Sequence, residues 1–171
     1  KNETRRGSVG GSAIKIQTGA GVMDIDTHVR EVLNEKGWNT HSITPQRTVY
    51  EAIERMDKLE IGALVVLQET TLRGIITERD YMKKIALKDR SSSETHVDEI
   101  MTSEVICVDP RYTVRECMAV MTQVRCRHLP VIRDGLVAGL ISIGDCVKHV
   151  TQDLEFEIRN LKDYISRRYP G

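Results

Sequence analysis

The stretch GIITERD at residues 74–80 decides the fold, because it recurs as GLISIGD at residues 139–145. In each copy two apolar residues follow a glycine and lead to a hydroxyl residue, Thr77 or Ser142. An aspartate follows three positions later, which is the spacing of a helix N-terminus. Each copy therefore predicts a buried strand that passes directly into a helix, with a carboxylate in the first helical turn.

Two interpretations of this turn are open. A hydroxyl beside a carboxylate at a helix N-terminus suits a sugar diol, which donates to the carboxylate, and a nearby phosphate, which accepts from the helix amides. The same pattern is also an ordinary capping box, in which the two side chains satisfy backbone amides. The duplication around Asp80 and Asp145 favours the first interpretation.

The repeat extends well beyond the turn. Residues 42–85 align with residues 107–150 without a gap, and 11 of the 44 aligned positions are identical. Both halves contain the same helix-opening pattern, TVYE at residues 48–51 and TVRE at residues 113–116. We interpret this as the duplication of a strand–helix–strand–strand–helix unit. The predicted fold class is α+β, with two repeats packed about a pseudo-twofold axis and two equivalent clefts between them.

The sequence predicts four segments. Residues 1–24 read as a flexible leader, residues 25–90 as the first repeat, residues 96–150 as the second and residues 151–171 as a C-terminal helix and tail. The leader is rich in Gly, Ser and Thr and is basic, which is typical of an organelle transit remnant, a cloning remnant or a plain disordered leader.

The C-terminal segment carries one apolar stripe. Leu154, Ile158, Leu161 and Ile165 follow one another at helical spacing, which predicts an amphipathic helix. Acidic residues precede basic ones along it, as the helix dipole favours. The stripe either packs back on its own domain or forms a dimer seam, and the sequence leaves both alternatives open.

Composition narrows the classes of function. Lys plus Arg and Asp plus Glu number 25 each, so no net charge draws the chain to nucleic acid or to a membrane surface. No apolar run is long enough to span a membrane. The four cysteines form no zinc-binding pattern, and we interpret them as small buried hydrophobic residues, with one exposed, redox-sensitive thiol as the alternative. They are Cys107, Cys117, Cys126 and Cys146.

Residues 28–150 resemble the CBS-domain pair, or Bateman module. The resemblance rests on VDEIMT at residues 97–102, on RHLPV at residues 127–131 and on the two duplicated turns. The first repeat departs from the family pattern in two ways, because its opening segment is degenerate and Val65 stands where the second repeat has Pro130.

This resemblance implies a ligand and two binding clefts. Such pairs bind AMP, ADP or ATP, and sometimes S-adenosylmethionine or NAD(H), between the repeats. The turn aspartate holds the ribose hydroxyls and the hydroxyl residue lies near the phosphate. Transferred to this sequence, the first cleft combines Ile75, Thr77, Arg79 and Asp80 with Cys126, Arg127 and His128. The second combines Leu140, Ser142 and Asp145 with Ile61, Gly62 and Ala63.

The two clefts differ in their predicted charge. Arg79, Arg127 and His128 would meet a phosphate in the first cleft, whereas the second has an apolar, glycine-lined entrance without a matching base. We therefore expect phosphate-bearing ligands to favour the Asp80 cleft. The Asp145 cleft is expected to be weaker or to prefer less charged ligands.

The function that follows is a non-catalytic sensor of adenine nucleotides, AMP foremost, that modulates a separate protein. The resemblance implies a homodimer and, from plant-organelle relatives, a thioredoxin-type target and redox regulation; the compartment is cytoplasmic or mitochondrial. A structural interaction module with vestigial clefts is the alternative. Catalysis is disfavoured, because an inosine monophosphate dehydrogenase barrel needs about 250 residues. No catalytic residue, catalytic cofactor or metal ligand is predicted.

Overall fold

A computed structural model describes residues 27–168, and the predicted leader lies outside the described residues. The first unit is strand–helix–strand–strand–helix, and the second repeats it with its first strand reduced to a bridge at Val108, which confirms the duplicated α+β fold. The elements are α1 (Val29–Lys36), β1 (Ser42–Ile43), α2 (Val49–Leu59), β2 (Ala63–Gln68), β3 (Thr71–Thr77), α3 (Glu78–Lys84), α4 (Val114–Val124), β4 (His128–Arg133), β5 (Leu136–Ser142) and α5 (Ile143–Arg168). Short 3₁₀ turns lie at Ala86–Lys88 and Val97–Glu99.

The helices α2 and α4 begin where the sequence predicts. The Thr48 hydroxyl accepts a hydrogen bond from the Glu51 amide at 3.2 Å, and the Glu51 carboxylate accepts one from the Thr48 amide at 2.9 Å. Thr113 and Glu116 repeat this arrangement at the start of α4. Each box satisfies two amides that would otherwise lack a partner at the helix end.

The two sheets differ because of one proline. In the first repeat β1 runs parallel to β2, and the Val65 amide donates to the His41 carbonyl at 3.1 Å. The aligned residue in the second repeat is Pro130, which has no amide proton to donate. Only the bridge between Val108 and Val131 therefore remains of the parallel pairing, and β4 pairs mainly with β5 in antiparallel fashion.

The repeats exchange their opening segments. Helix α1 precedes the first repeat, yet Val29, Val32 and Leu33 are fully buried in the core of the second. Conversely, Val97 and Ile100 open the second repeat and lie in the core of the first. The sequence does not predict this exchange, because it assigns residues 25–90 to one unit.

Paired backbone hydrogen bonds fix the exchanged segments. The Val29 amide donates to the Tyr112 carbonyl and the Val114 amide to the Thr27 carbonyl, both at 2.8 Å. In the other half the Val97 amide donates to Arg47 and the Val49 amide to Thr95, both at 2.9 Å. The symmetry of the two sets reflects the pseudo-twofold relation between the repeats.

Helix α5 is continuous from the second repeat into the C-terminal segment. It begins at Ile143 and runs without a break to Arg168. Leu154, Ile158 and Leu161 are 52%, 51% and 61% exposed, so these three members of the predicted stripe do not pack on other parts of the chain that the structure describes. The side chain of Ile165 is outside the described set.

The sequence analysis interprets all four cysteines as buried, but only two of them are, and all four are free thiols. Cys117 and Cys146 belong to the core of the second repeat. Burial raises the pKa of Cys117 to about 12 and that of Cys146 to about 11, which suppresses the reactive thiolate. Cys107 and Cys126 are half-buried, and burial raises the pKa of each.

The exchange depends on a close backbone approach at Gly74. A Cβ atom at this position would lie 2.7 Å from the Thr102 carbonyl oxygen, which belongs to the exchanged segment. We expect Gly74→Ala to lower the free energy of unfolding by about 1–3 kcal/mol, because the backbone of residue 102 would have to move. Urea unfolding measures the change.

The aligned Gly139→Ala variant should lose less stability, because its Cβ would meet the tip of the Leu33 side chain, which can rotate. Gly144→Ala is the control, since its Cβ would have no heavy atom closer than 3.7 Å. Equal stabilities for Gly74→Ala and Gly144→Ala would contradict the role assigned to the close approach.

Candidate functional site

The first aspartate turn is a capping box at the junction of β3 and α3. The Asp80 carboxylate oxygen Oδ2 accepts hydrogen bonds from the Thr77 amide at 3.0 Å and the Thr77 hydroxyl at 2.7 Å. Its Oδ1 lies 2.8 Å from the Lys84 ammonium, one turn along the same helix. The capping interpretation of the turn is therefore correct, and the cap also fixes the direction in which the carboxylate points.

Asp80 lies at a cleft between the repeats. The cleft has a volume of about 220 Å³, and all seven residues predicted for it line its wall. Thr77 and Asp80 come from the end of β3 and the start of α3, whereas Cys126 to His128 come from the entrance to β4. The remaining lining residues, which sequence reasoning missed, are Gly62, Glu78, Thr102 and Arg125.

Arginines dominate the charge of this Asp80 cleft. Arg79, Arg125 and Arg127 line it, and Arg79 donates a hydrogen bond to the Arg125 carbonyl at 3.5 Å across the junction between the repeats. Arg125 ends α4 with a left-handed backbone, φ 56°. Glu78 and Asp80 are the acidic residues at the same wall. The dense basic run at residues 125–128 was the sequence signal that could have included Arg125.

The second aspartate turn has the same cap but a different lysine. Asp145 Oδ2 accepts hydrogen bonds from the Ser142 amide at 2.8 Å and the Ser142 hydroxyl at 2.7 Å. The Lys36 ammonium lies 2.7 Å from the same oxygen and donates to the Leu140 carbonyl at 3.2 Å. Lys36 belongs to α1, so the exchanged helix supplies the partner of this carboxylate.

The Asp145 cleft is larger, about 510 Å³, and it contains most of the residues predicted for it. Ile61, Gly62, Ala63, Leu140 and Ser142 line its wall. Asp145 does not line the wall itself but contacts two residues that do, Ser142 and Lys36.

The prediction that the second cleft has no base is wrong. Lys36, His41 and His128 line the Asp145 cleft, together with one acidic residue, Glu60. The sequence analysis missed Lys36 because this residue lies on α1, which it assigned to the first repeat only and which the exchange brings to the second. It missed His41, which lies beside β2 in the first repeat, because it considered only residues 61–63 as the entrance of this cleft.

His128 is shared, because it lines both clefts. Burial lowers its pKa, the positive charges of Lys36 and Arg127 lower it further, and Asp145 acts in the opposite direction. The imidazole is therefore neutral at pH 7 and offers a ligand one N–H donor rather than a positive charge. The aligned position in the first repeat is Ala63, so the pseudo-symmetry is broken at this point.

A third concave surface, of about 620 Å³, lies over α2 and carries no candidate chemistry. Its charged side chains include Arg47, which pairs with Glu51 at 2.7 Å, and Lys58, which pairs with Glu54 at 2.9 Å. Between residues 27 and 168 no group of three or more His, Cys, Asp and Glu side chains is arranged to bind a metal. No helix in the same range is long and apolar enough to cross a membrane.

The pKa of Asp145 predicts a pH-dependent stability. Burial raises this pKa, but hydrogen bonds from Lys36 and Ser142 outweigh it and bring the pKa below its ordinary value of 3.8. A carboxyl group with a lowered pKa stabilises the fold above its ordinary pKa and loses this effect as the pH falls. We expect Asp145→Asn to cost about 1–2 kcal/mol of unfolding free energy at pH 7 and less at pH 3, measured by urea unfolding.

Asp134→Asn is the control, because this aspartate lies in the exposed turn between β4 and β5. An Asp145→Asn deficit of the same size at both pH values would exclude the charged contact as its cause.

Known proteins share this arrangement. The family model for the CBS domain matches residues 29–87 and 97–152. The mitochondrial CBS domain-containing protein CBSX3 of Arabidopsis thaliana is 40% identical over 152 residues, which cover 84% of this chain and 74% of that protein. The CBS domain-containing protein YhcV of Bacillus subtilis is 27% identical over 104 residues, which cover 61% of this chain and 74% of that protein.

Solved structures agree with the sequence matches. A protein with CBS domains from Burkholderia ambifaria is 46% identical with a TM-score of 0.72, and the match covers 74% of this chain and 96% of that one. A hexameric CBS-CP12 protein from cyanobacteria is 27% identical with a TM-score of 0.65, over 74% of this chain and 72% of that one. With two matched repeats and the exchanged openers that complete them, this chain belongs to the CBS-domain family.

Proposed function

We propose that this chain is a non-catalytic regulatory module that binds an adenine nucleotide, AMP foremost, and passes the bound state to a separate protein. One observation carries the proposal: the hydroxyl–carboxylate turn occurs twice, and both copies lie at clefts between the repeats. A cap alone would not need to lie at a cleft between the repeats. CBS domains typically bind adenosine ligands, which supports the choice of ligand class.

The chemistry of the Asp80 cleft fits a nucleoside phosphate. The carboxylate is 13% exposed and oriented by its cap, so it can accept hydrogen bonds from ribose hydroxyls. Arg79, Arg125 and Arg127 line the same wall, and charge-assisted hydrogen bonds from arginine to phosphate are strong. We therefore propose this cleft as the tighter nucleotide site.

Ligand binding would act on the relation between the repeats. A ligand in either cleft contacts residues of both units, so its binding energy favours one relative orientation of the repeats. A partner protein that contacts both units distinguishes that orientation from the empty state. The similar plant protein CBSX3 is mitochondrial by name, which supports an organelle setting. In that setting we propose a thioredoxin-type protein, or another target protein, as the partner. The mitochondrion is the proposed compartment for the same reason.

The chain is also proposed to dimerise through α5. Val147, Val150, Leu154, Ile158 and Leu161 form one exposed apolar stripe at helical spacing. Among the described side chains, acidic Glu155 precedes basic Lys162 along the same helix. An antiparallel second copy would bring opposite charges together beside the buried stripes, so the occupant that this face fits is another copy of this chain.

A ligand screen tests the nucleotide proposal. Thermal unfolding is measured with AMP, ADP, ATP, NAD, NADH and S-adenosylmethionine, for the wild type and for Asp80→Ala and Asp145→Ala. A ligand at 100 times its dissociation constant adds about 2.7 kcal/mol, which raises the melting temperature by roughly 5–10 °C. We expect AMP to give such a rise, and Asp80→Ala to reduce it more than Asp145→Ala.

Arg127→Ala should weaken AMP binding as well, whereas Lys83→Ala, which removes a charge outside the cleft walls, should not. If none of the six ligands shifts the melting temperature, the nucleotide proposal fails and the interaction-module alternative takes its place.

The dimer proposal is tested separately by analytical ultracentrifugation. We expect Leu154→Glu combined with Ile158→Glu to convert a dimer into a monomer, because charges would enter the buried stripe. Gln152→Glu, on the opposite face of α5, is the control and should leave the dimer intact. A wild type that sediments as a monomer at all concentrations, or a dimer that both variants retain, excludes this seam.

A further inference from the structure

The two aspartate turns place their lysines differently. Lys84 is on the same helix as Asp80 and is absent from the lining of that cleft, whereas Asp80 itself lines it. In the other cleft the order is reversed: Lys36 lines the wall and Asp145 does not. A ligand that enters the Asp145 cleft therefore meets the ammonium of Lys36 before it meets the carboxylate.

We propose that Lys36 determines the ligand specificity of the Asp145 cleft, so that this cleft accepts a nucleotide with a phosphate and rejects the corresponding nucleoside. The inference rests on the proposed function, because it takes the adenine-nucleotide class of ligand from there. It replaces the expectation that the Asp145 cleft prefers less charged ligands.

The argument is electrostatic. The Lys36 ammonium is 2.7 Å from Asp145 Oδ2, and Asp145 is only 20% exposed. A neutral nucleoside that brings its ribose hydroxyls to this carboxylate displaces the ammonium and offers it no anion in exchange. A phosphate does offer one, and the flexible four-carbon stem of lysine lets the ammonium turn from carboxylate to phosphate.

The surroundings of Lys36 suit an anion. The Thr40 hydroxyl is buried and, among the described residues, has no hydrogen-bond partner, although Thr40 lines the cleft. His41 and His128 add further N–H donors to the same wall. Glu60 is the acidic lining residue, and it is exposed, so its charge is screened by solvent.

These features are particular to the Asp145 cleft. The matching hydrogen bonds of the openers align Val29 with Val97, an offset of 68 residues, so that Lys36 corresponds to Glu104. Glu104 is acidic and does not line the Asp80 cleft. The Asp145 cleft is also the roomier one, about 510 Å³ against about 220 Å³. Phosphate recognition there thus depends on one lysine, whereas the Asp80 cleft has several arginines.

The test compares AMP with adenosine by isothermal titration calorimetry of the full chain. Asp80→Ala removes the carboxylate of the Asp80 cleft and is expected to abolish binding there, so that the remaining binding reports on the Asp145 cleft. In this background we expect AMP to bind at least about tenfold more tightly than adenosine, since a charge-assisted contact is lost with the nucleoside. Lys36→Met, which removes the charge but keeps an unbranched side chain, should bring the two affinities to within about threefold.

Two further variants separate a specific role from a structural one. Lys36→Arg keeps the positive charge and should retain the preference for AMP. Lys148→Met removes an exposed lysine of α5 that is outside both cleft walls, and it should change neither affinity.

The outcomes distinguish this inference from the proposed function. If the wild type binds no adenine nucleotide, the proposed function fails. If the wild type binds AMP but Asp80→Ala does not, the inference is overturned while the proposed function stands. The same conclusion follows if the ratio of the AMP affinity to the adenosine affinity is unchanged by Lys36→Met.

Discussion

The reciprocal exchange of opening segments is the constraint on which the rest of the structure depends. Each core is completed by apolar side chains that belong, in sequence, to the other unit: Val29, Val32 and Leu33 in one, Val97 and Ile100 in the other. A single unit of this size would leave much of its sheet uncovered. The exchange buries it and, in doing so, fixes how the two repeats sit together, so that both aspartate turns face the partner repeat.

Helix capping and ligand binding use the same turn in this fold. The cap holds the carboxylate by hydrogen bonds from Thr77 or Ser142, which removes its rotational freedom before any ligand arrives. A preoriented group loses less entropy when it binds. The turn can therefore be a helix cap and a ligand site at once, because the cap orients the carboxylate that the ligand contacts.

Sequence reasoning predicted the parts of this molecule that depend on local patterns. The duplication, the capping boxes and the strand-to-helix turns all follow from short-range spacing, and the residues assigned to the Asp80 cleft line one wall. It failed where distant segments meet. Lys36 carries no local signal of its role, because its partner Asp145 is far along the chain and reaches it only through the exchange of α1. For that reason the prediction of the charge of the second cleft was wrong.

The exchanged openers also affect how such a chain can evolve and how it folds during synthesis. A free single unit could complete its core only with the opener of a second molecule, so a swapped pair of single units is the natural precursor of the fused chain. During synthesis α1 emerges before the second repeat, which contains its binding site. The first half, in turn, lacks Val97 and Ile100 until they leave the ribosome. Folding is thus coupled across almost the whole chain, and cleavage of the linker between the repeats would leave two halves that are still bound to each other.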